Sequence, residues 1–124
     1  WEAAMAAHHH KLDNLCAVID RNRLQISGDT ENVMAQDSQE ERWSAFGWHT
    51  IPVNGHDYRE LNEAFREAGN YTGAPTVIIA NTIKGYGSAV MENKPEWHHR
   101  VPTPDEYRQI VRDLEERKEA ALHE

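Results

Sequence analysis

Leu12-Asp13-Asn14-Leu15-Cys16-Ala17-Val18-Ile19-Asp20-Arg21-Asn22-Arg23-Leu24-Gln25-Ile26 is a buried-strand pattern that stops abruptly in polar, oxygen-bearing residues. A second run, Pro75-Thr76-Val77-Ile78-Ile79-Ala80, is short and continuously apolar, as in a strand covered on both faces. Between them, Ser38 followed by Glu41 is a capping box for a helix through Phe46, which Gly47 stops, and a strand follows over 48–53. Asn54-Gly55 then turns the chain. Asp57 with Glu60 opens a second helix, whose Leu61, Ala64, Phe65 and Ala68 share an apolar face and which Gly69 ends. Strands alternating with helices predict an α/β fold: a parallel sheet with helices on both faces. Ligands of such sheets sit outside the carboxyl ends of the strands, which places Asp20 and Asn22 where a metal or phosphate would be held. Taken alone, an Asp-x-Asn after a strand is more often a turn than a metal site.

Outward from this frame, Trp1-Glu2-Ala3-Ala4-Met5-Ala6-Ala7 reads as the middle of a helix. With no Met at position 1, it predicts a piece of a longer protein. After the last strand a long loop covers 81–102, a length that is commonly functional. Thr103-Pro104-Asp105-Glu106 starts a final helix with a cap, a proline and a box glutamate, and Tyr107, Ile110, Val111 and Leu114 are expected to face inward. The expected organisation is one partial domain over 1–114 and a polar helical tail, fraying, over 115–124.

Composition narrows the partners. The 124 residues carry 13 Lys+Arg against 21 Asp+Glu, a formal charge of −8, which disfavours nucleic acid and anionic membrane. No apolar run nears the roughly 20 residues of a membrane span, and no signal peptide is present, so the chain reads as cytoplasmic. The single Cys16 is expected to pack as a small hydrophobe. His8-His9-His10 cannot converge on one ion, because successive helical side chains point apart. His56 reads as shaping a helix entry, Trp97 as pinning the long loop to the core, and Asn70-Tyr71-Thr72 as a chance glycosylation triplet.

Several segments, in this order and spacing, resemble transketolase. They are Trp1-Glu2-Ala3-Ala4-Met5, His9-His10-Lys11-Leu12-Asp13-Asn14-Leu15, Asp20-Arg21-Asn22-Arg23-Leu24-Gln25-Ile26, Gly55-His56-Asp57 and Lys84-Gly85-Tyr86-Gly87. The resemblance covers nearly the whole chain and is to the thiamine diphosphate-binding domain. Met91-Glu92-Asn93-Lys94-Pro95-Glu96-Trp97-His98 is most similar to the N-terminal subunit of split transketolases.

The resemblance implies transfer of a two-carbon ketol unit from a ketose phosphate to an aldose phosphate on thiamine diphosphate, with Mg2+ or Ca2+ holding the diphosphate. It assigns Asn22 as the amide ligand of the metal and the Leu24 carbonyl as the backbone ligand, oxygen donors of the kind a hard cation takes. Ile26 would pack on the cofactor. Lys84 would meet the diphosphate, where Gly85-Tyr86-Gly87 allows close backbone approach. His98 matches a histidine that reaches the diphosphate and the substrate hydroxyl, a candidate general acid or base. His99 stands where the family has glycine.

Glu2 matches a glutamate at the dimer interface. The family's metal motif begins with Gly-Asp-Gly, which these residues lack and which would lie upstream of Trp1. The activating glutamate would come from a pyrimidine-binding half or subunit, making that half a required partner in a homo- or hetero-oligomer and leaving this chain inactive alone. The alternatives are another thiamine diphosphate enzyme, such as deoxyxylulose-phosphate synthase or the dehydrogenase branch, or a catalytically silent interaction module. The segment 11–15 and Trp97-His98 argue against the other enzymes.

Overall fold

A computed structural model describes residues 1–123. The chain divides into two compact units, Trp1–Arg21 with Gln36–Thr82, and Asn22–Ala35 with Ile83 onward.

The first unit is built on a parallel three-stranded sheet. Its strands are β1 (Cys16–Arg21), β4 (His49–Asn54) and β5 (Thr76–Asn81), in the order β1-β5-β4. Strand β5 lies in the middle. Its Val77, Ile78 and Ile79 are at most 1% exposed, as expected of an apolar run with layers on both faces. Because side chains alternate along a strand, Ile78 and Ala80 face one side and Val77 and Ile79 the other. Ile78 and Ala80 pack with Ile51, Val53, Ala64 and Ala68, bringing α4 (Tyr58–Asn70) onto that face. Val77 and Ile79 pack with Ala4, Ala7 and Trp48, with Trp43 and Phe46 at the edge. That face is covered by α1 (Glu2–His9) and α3 (Gln39–Ala45). The Trp48 indole N–H donates to the Ala4 carbonyl at 2.9 Å, fixing α1. The expected parallel sheet with helices on both faces is therefore present.

Several local expectations need correction. Cys16 is exposed, on the same face as Val18, which is 50% exposed opposite the fully buried Ile78. Partial desolvation still raises its thiol above the ordinary value. Phe65 is 51% exposed, because α4 inserts only Ala64 and Ala68, with Leu61 partly buried. Helix α4 runs through Gly69 and ends at Asn70. Ser38 caps α3 by accepting the Glu41 N–H, which is one half of the expected box. Asp57 accepts the Arg59 and Glu60 N–H groups, but the Glu60 carboxylate bonds the Asn54 N–H instead of closing a box.

The second unit contains a small antiparallel pair, β2 (Leu24–Gln25) and β3 (Gly28–Asp29), then α2 (Thr30–Val33), a 3-10 helix (Pro95–His98) and α5 (Pro104–Leu122). Thr103 and Glu106 form the full reciprocal capping box that the sequence predicts. Helix α5 continues through the polar segment to Leu122 with no buried residue; Tyr107 and Leu114 are 60% and 48% exposed, against expectation. Among the described residues, no helix is long and apolar enough to cross a membrane.

Candidate functional site

Of the six residues assigned through the resemblance, five, namely Asn22, Leu24, Ile26, Lys84 and His98, fall in the second unit, although Asn22 and His98 lie 76 positions apart in sequence. The sixth, Glu2, is an exposed residue in the first turn of α1, in the first unit. The Asn22 Oδ1 accepts the Leu24 N–H at 2.9 Å, closing a turn over Arg23, whose φ is +63°. Asparagine suits this task because its amide mimics a backbone carbonyl. The Arg23 carbonyl then accepts the Thr30 N–H at 2.9 Å, so the hairpin formed by β2 and β3 closes on its own stem. Asp29 caps α2 through the Glu31 N–H. Strand β2 packs against the 3-10 helix, bringing the Asn22–Ala35 segment to the element that ends in His98. Ile26, at the hairpin's tip, is 62% exposed.

The segment after β5 is a built loop. Its carbonyl at Lys84 accepts the Asn93 N–H at 3.0 Å. Gly85 has φ +71°, and a Cβ there would stand 2.7 Å from the Met91 Cβ, so glycine is required on both counts. The close approach expected of this glycine is thus made to the chain's own Met91. The Glu92 carboxylate accepts the Gly87 N–H at 2.9 Å, and the Lys94 ammonium donates to the Ala89 and Val90 carbonyls, each at 2.9 Å. Trp97 is buried, with its indole N–H on the Val90 carbonyl at 2.9 Å, so it ties the loop to itself, whereas the sequence predicts an anchor to the core. Lys84 is half-buried, and its ammonium makes no hydrogen bond or ion pair among the described residues. His98 is exposed, its ring edge-on to His99 at 4.4 Å.

Sequence reading missed the polar organisers of this loop, Glu92, Lys94 and the Ser88–Asp113 pair, whose hydroxyl–carboxylate bond is 2.6 Å. That hydroxyl, then the Gln109 amide, holds the Asp113 carboxyl below its ordinary value. Their one sequence signal is a run of donors and acceptors inside a segment too irregular for a helix or strand. Asp20, read as a ligand candidate, is engaged by the Thr82 hydroxyl within the first unit. An open groove of about 370 Å³ beside Gly87, Asp113 and Arg117 includes none of the five residues named above.

The donor set can be tested against a hard cation. Asn22 Oδ1 spends one lone pair on the Leu24 N–H and keeps a second, and the Leu24 carbonyl is another neutral oxygen. Both are oxygen donors of the right kind, two of the roughly six that Mg2+ takes, the rest being carboxylate, phosphate and water oxygens. The residues therefore fit the group in kind and supply part of its shell. No cluster of three or more His, Cys, Asp or Glu side chains suited to a metal occurs among the described residues, the histidines 8–10 included.

The family model for the transketolase thiamine diphosphate-binding domain matches residues 1–116. One of the subunits of the apulose-4-phosphate transketolase of Phocaeicola vulgatus is 47% identical over 96% of this chain and 42% of its own length. Human transketolase is 40% identical over 92% of this chain and 18% of its own length. The crystal structure of Pichia stipitis transketolase with sedoheptulose 7-phosphate superposes with a TM-score of 0.83 at 30% identity, over 91% of this chain and 17% of that one. The chain thus spans less than half of the relatives it matches. With a match running from residue 1 to residue 116 of 124, it belongs to the transketolase family through the thiamine diphosphate-binding domain.

Proposed function

We propose that this chain is the diphosphate-anchoring part of a transketolase that transfers a two-carbon ketol unit from a ketose phosphate to an aldose phosphate. The observation that carries this reading is the gathering of Asn22, Leu24, Ile26, Lys84 and His98 in one compact unit. Thiamine diphosphate, when bound, supplies the carbanion chemistry of such transfers. The protein's part is to bind, orient and move protons. Asn22 Oδ1 and the Leu24 carbonyl hold Mg2+ or Ca2+, the Lys84 ammonium meets the diphosphate as a point charge, and Ile26 presents apolar surface to the cofactor. His98 exchanges a proton with the donor hydroxyl. Glu2 lies at the contact between copies or subunits. A pyrimidine-binding half or subunit completes the site, a reading favoured by relatives that are themselves single subunits of transketolases. The setting is cytoplasmic.

The test is calorimetric titration of Mg2+ and thiamine diphosphate into the full polypeptide carrying this chain, mixed with the pyrimidine-binding half, and into the 124 residues alone. Clear binding to the assembly and negligible binding to the 124 residues are expected. Asn22→Ala should weaken the assembly's affinity about 10-fold or more, and His98→Ala should lower turnover about 100-fold or more. An assembly that does not bind, or an Asn22→Ala variant of unchanged affinity, refutes the assignment.

A further inference from the structure

Thr82 has no role in any reading above, yet three strand ends meet on it. Its N–H donates to the Arg21 carbonyl at 3.3 Å, one step past the last residue pair of β1 and β5, Arg21 with Asn81. Its hydroxyl donates to the Asp20 carboxylate. Its methyl lies against Gly55, just beyond β4, where a Cβ would collide with it; the Gly55 N–H donates to the Asn81 carbonyl at 2.8 Å. Thr82 therefore joins the carboxyl ends of all three strands through one residue.

The position of this knot along the chain gives it its meaning. Asp20 precedes Asn22 by two residues, and Thr82 precedes Lys84 by two. The ladder from Cys16 with Thr76 to Arg21 with Asn81 already fixes the strands below the knot. The hydroxyl–carboxylate bond adds little to sheet formation and acts where the ladder has run out. A hydrogen bond to an ionised acceptor is of the stronger kind and has a defined direction, so it can set the course of both departing segments.

We infer that Thr82 is a positioning residue: by binding Asp20, it sets the starts of the two segments that carry Asn22 and Lys84. The inference rests on the proposed cofactor reading. It requires a hydroxyl at position 82 and a carboxylate at position 20. It also accounts for glycine at position 55, where only a residue without a side chain leaves room for the threonine methyl.

The experiment uses the full polypeptide assembled with its pyrimidine-binding partner. Thr82→Val keeps the methyl and loses the hydroxyl, Thr82→Ser does the reverse, and Asp20→Asn keeps an acceptor without its charge. Thiamine diphosphate affinity is measured at saturating Mg2+, and hydrogen exchange at the Leu24 N–H is followed in the cofactor-free protein. Thr82→Val should weaken affinity about 10- to 100-fold, the size of effect seen when a group supporting a ligand is removed. It should also speed Leu24 exchange, while its turnover at saturating cofactor stays within a few-fold of the parent. Thr82→Ser should restore both readouts, and Asp20→Asn should shift both in the direction of Thr82→Val by less. Parental affinity and Leu24 exchange in Thr82→Val and Asp20→Asn, or a Thr82→Ser variant as weak as Thr82→Val, overturns the inference. If the parent assembly itself binds no cofactor, the functional reading falls and this inference with it. If the parent binds and Thr82→Val binds equally, only the inference falls.

Discussion

Trp97 is the residue whose removal should loosen the long loop most, and the structure sets the scale. The indole is 8% exposed, its N–H donates to the Val90 carbonyl at 2.9 Å, and the Arg100 guanidinium lies 4.3 Å above the ring. Replacing it with phenylalanine removes one neutral hydrogen bond, worth about 1 kcal/mol. The Val90 carbonyl is not orphaned, because the Lys94 ammonium also donates to it at 2.9 Å, so no further penalty for an unpaired acceptor applies. Phenylalanine is a poorer cation partner than tryptophan, which adds about 0.5 kcal/mol. Trp97→Phe should therefore cost about 1–1.5 kcal/mol, whereas Trp97→Ala, which also empties the pocket, should cost about 3–5 kcal/mol. Native-state hydrogen exchange reads this directly at Met91, Glu92 and Trp97, whose N–H groups donate to Ser88, Ser88 and Lys94 carbonyls inside the loop. Exchange there should quicken about tenfold in Trp97→Phe and by more than about 100-fold in Trp97→Ala, since about 1.4 kcal/mol is one decade. Equal acceleration in the two variants would refute the division between hydrogen bond and packing, and no acceleration in either would show that Trp97 does not hold the loop.

Three further outcomes follow from the same geometry. Ile78→Ala, at a fully buried site, should lower unfolding stability by about 2–5 kcal/mol, whereas Phe65→Ala, half-exposed, should cost about 0.5 kcal/mol or less; similar denaturant midpoint shifts would contradict the assignment of the core. Ser38→Ala removes the acceptor of the Glu41 N–H and should cost about 1 kcal/mol, with Ser38→Asp recovering it, as read by chemical denaturation. Asp57 has its carboxyl held below the ordinary 3.8, first by the Glu60 N–H and then by the Arg59 N–H. Because the folded value is depressed, its contribution is present above the unfolded value and is lost as pH falls through the folded one. Acid titration of unfolding should show this loss in the parent and a smaller one in Asp57→Asn, whose amide oxygen can still cap α4; equal acid sensitivity would rule out the cap as its source.

What the sequence makes legible follows from how local each cause is. The run 75–80 announces β5 because burial on both faces leaves no polar alternation, and the Thr103 box announces α5 because its bonds join residues three apart. Phe65, Tyr107 and Leu114 mislead because helical periodicity states which residues share a face and not whether anything covers it. Cys16 and Val18 mislead for the same reason on a strand, since they lie on an edge strand whose partner on the same face, Ile78, is buried while Val18 stays half-exposed. The hairpin of β2 and β3 has two residues per strand, too few for a period to appear. The proposed site residues Asn22, Lys84 and His98 are legible through resemblance, while Glu92, Lys94 and Thr82 act through bonds at irregular separations that no pattern marks.

Asn22 shows why one motif supports two readings from sequence. An Asp-x-Asn after a strand can be a turn or a ligand, and these compete only if the side chain has one thing to offer. Here the amide oxygen accepts the Leu24 N–H, which makes the turn and holds Arg23 left-handed. The same oxygen has a second lone pair, so the turn fixes the orientation of a donor instead of consuming it. The residue at the far end of that turn is Leu24, whose carbonyl is the second oxygen of the proposed metal shell. The turn thus orders the amide oxygen, and the pairing of β2 with β3 orders the Leu24 backbone, a preorganisation that a weak pair of neutral ligands needs to contribute to affinity.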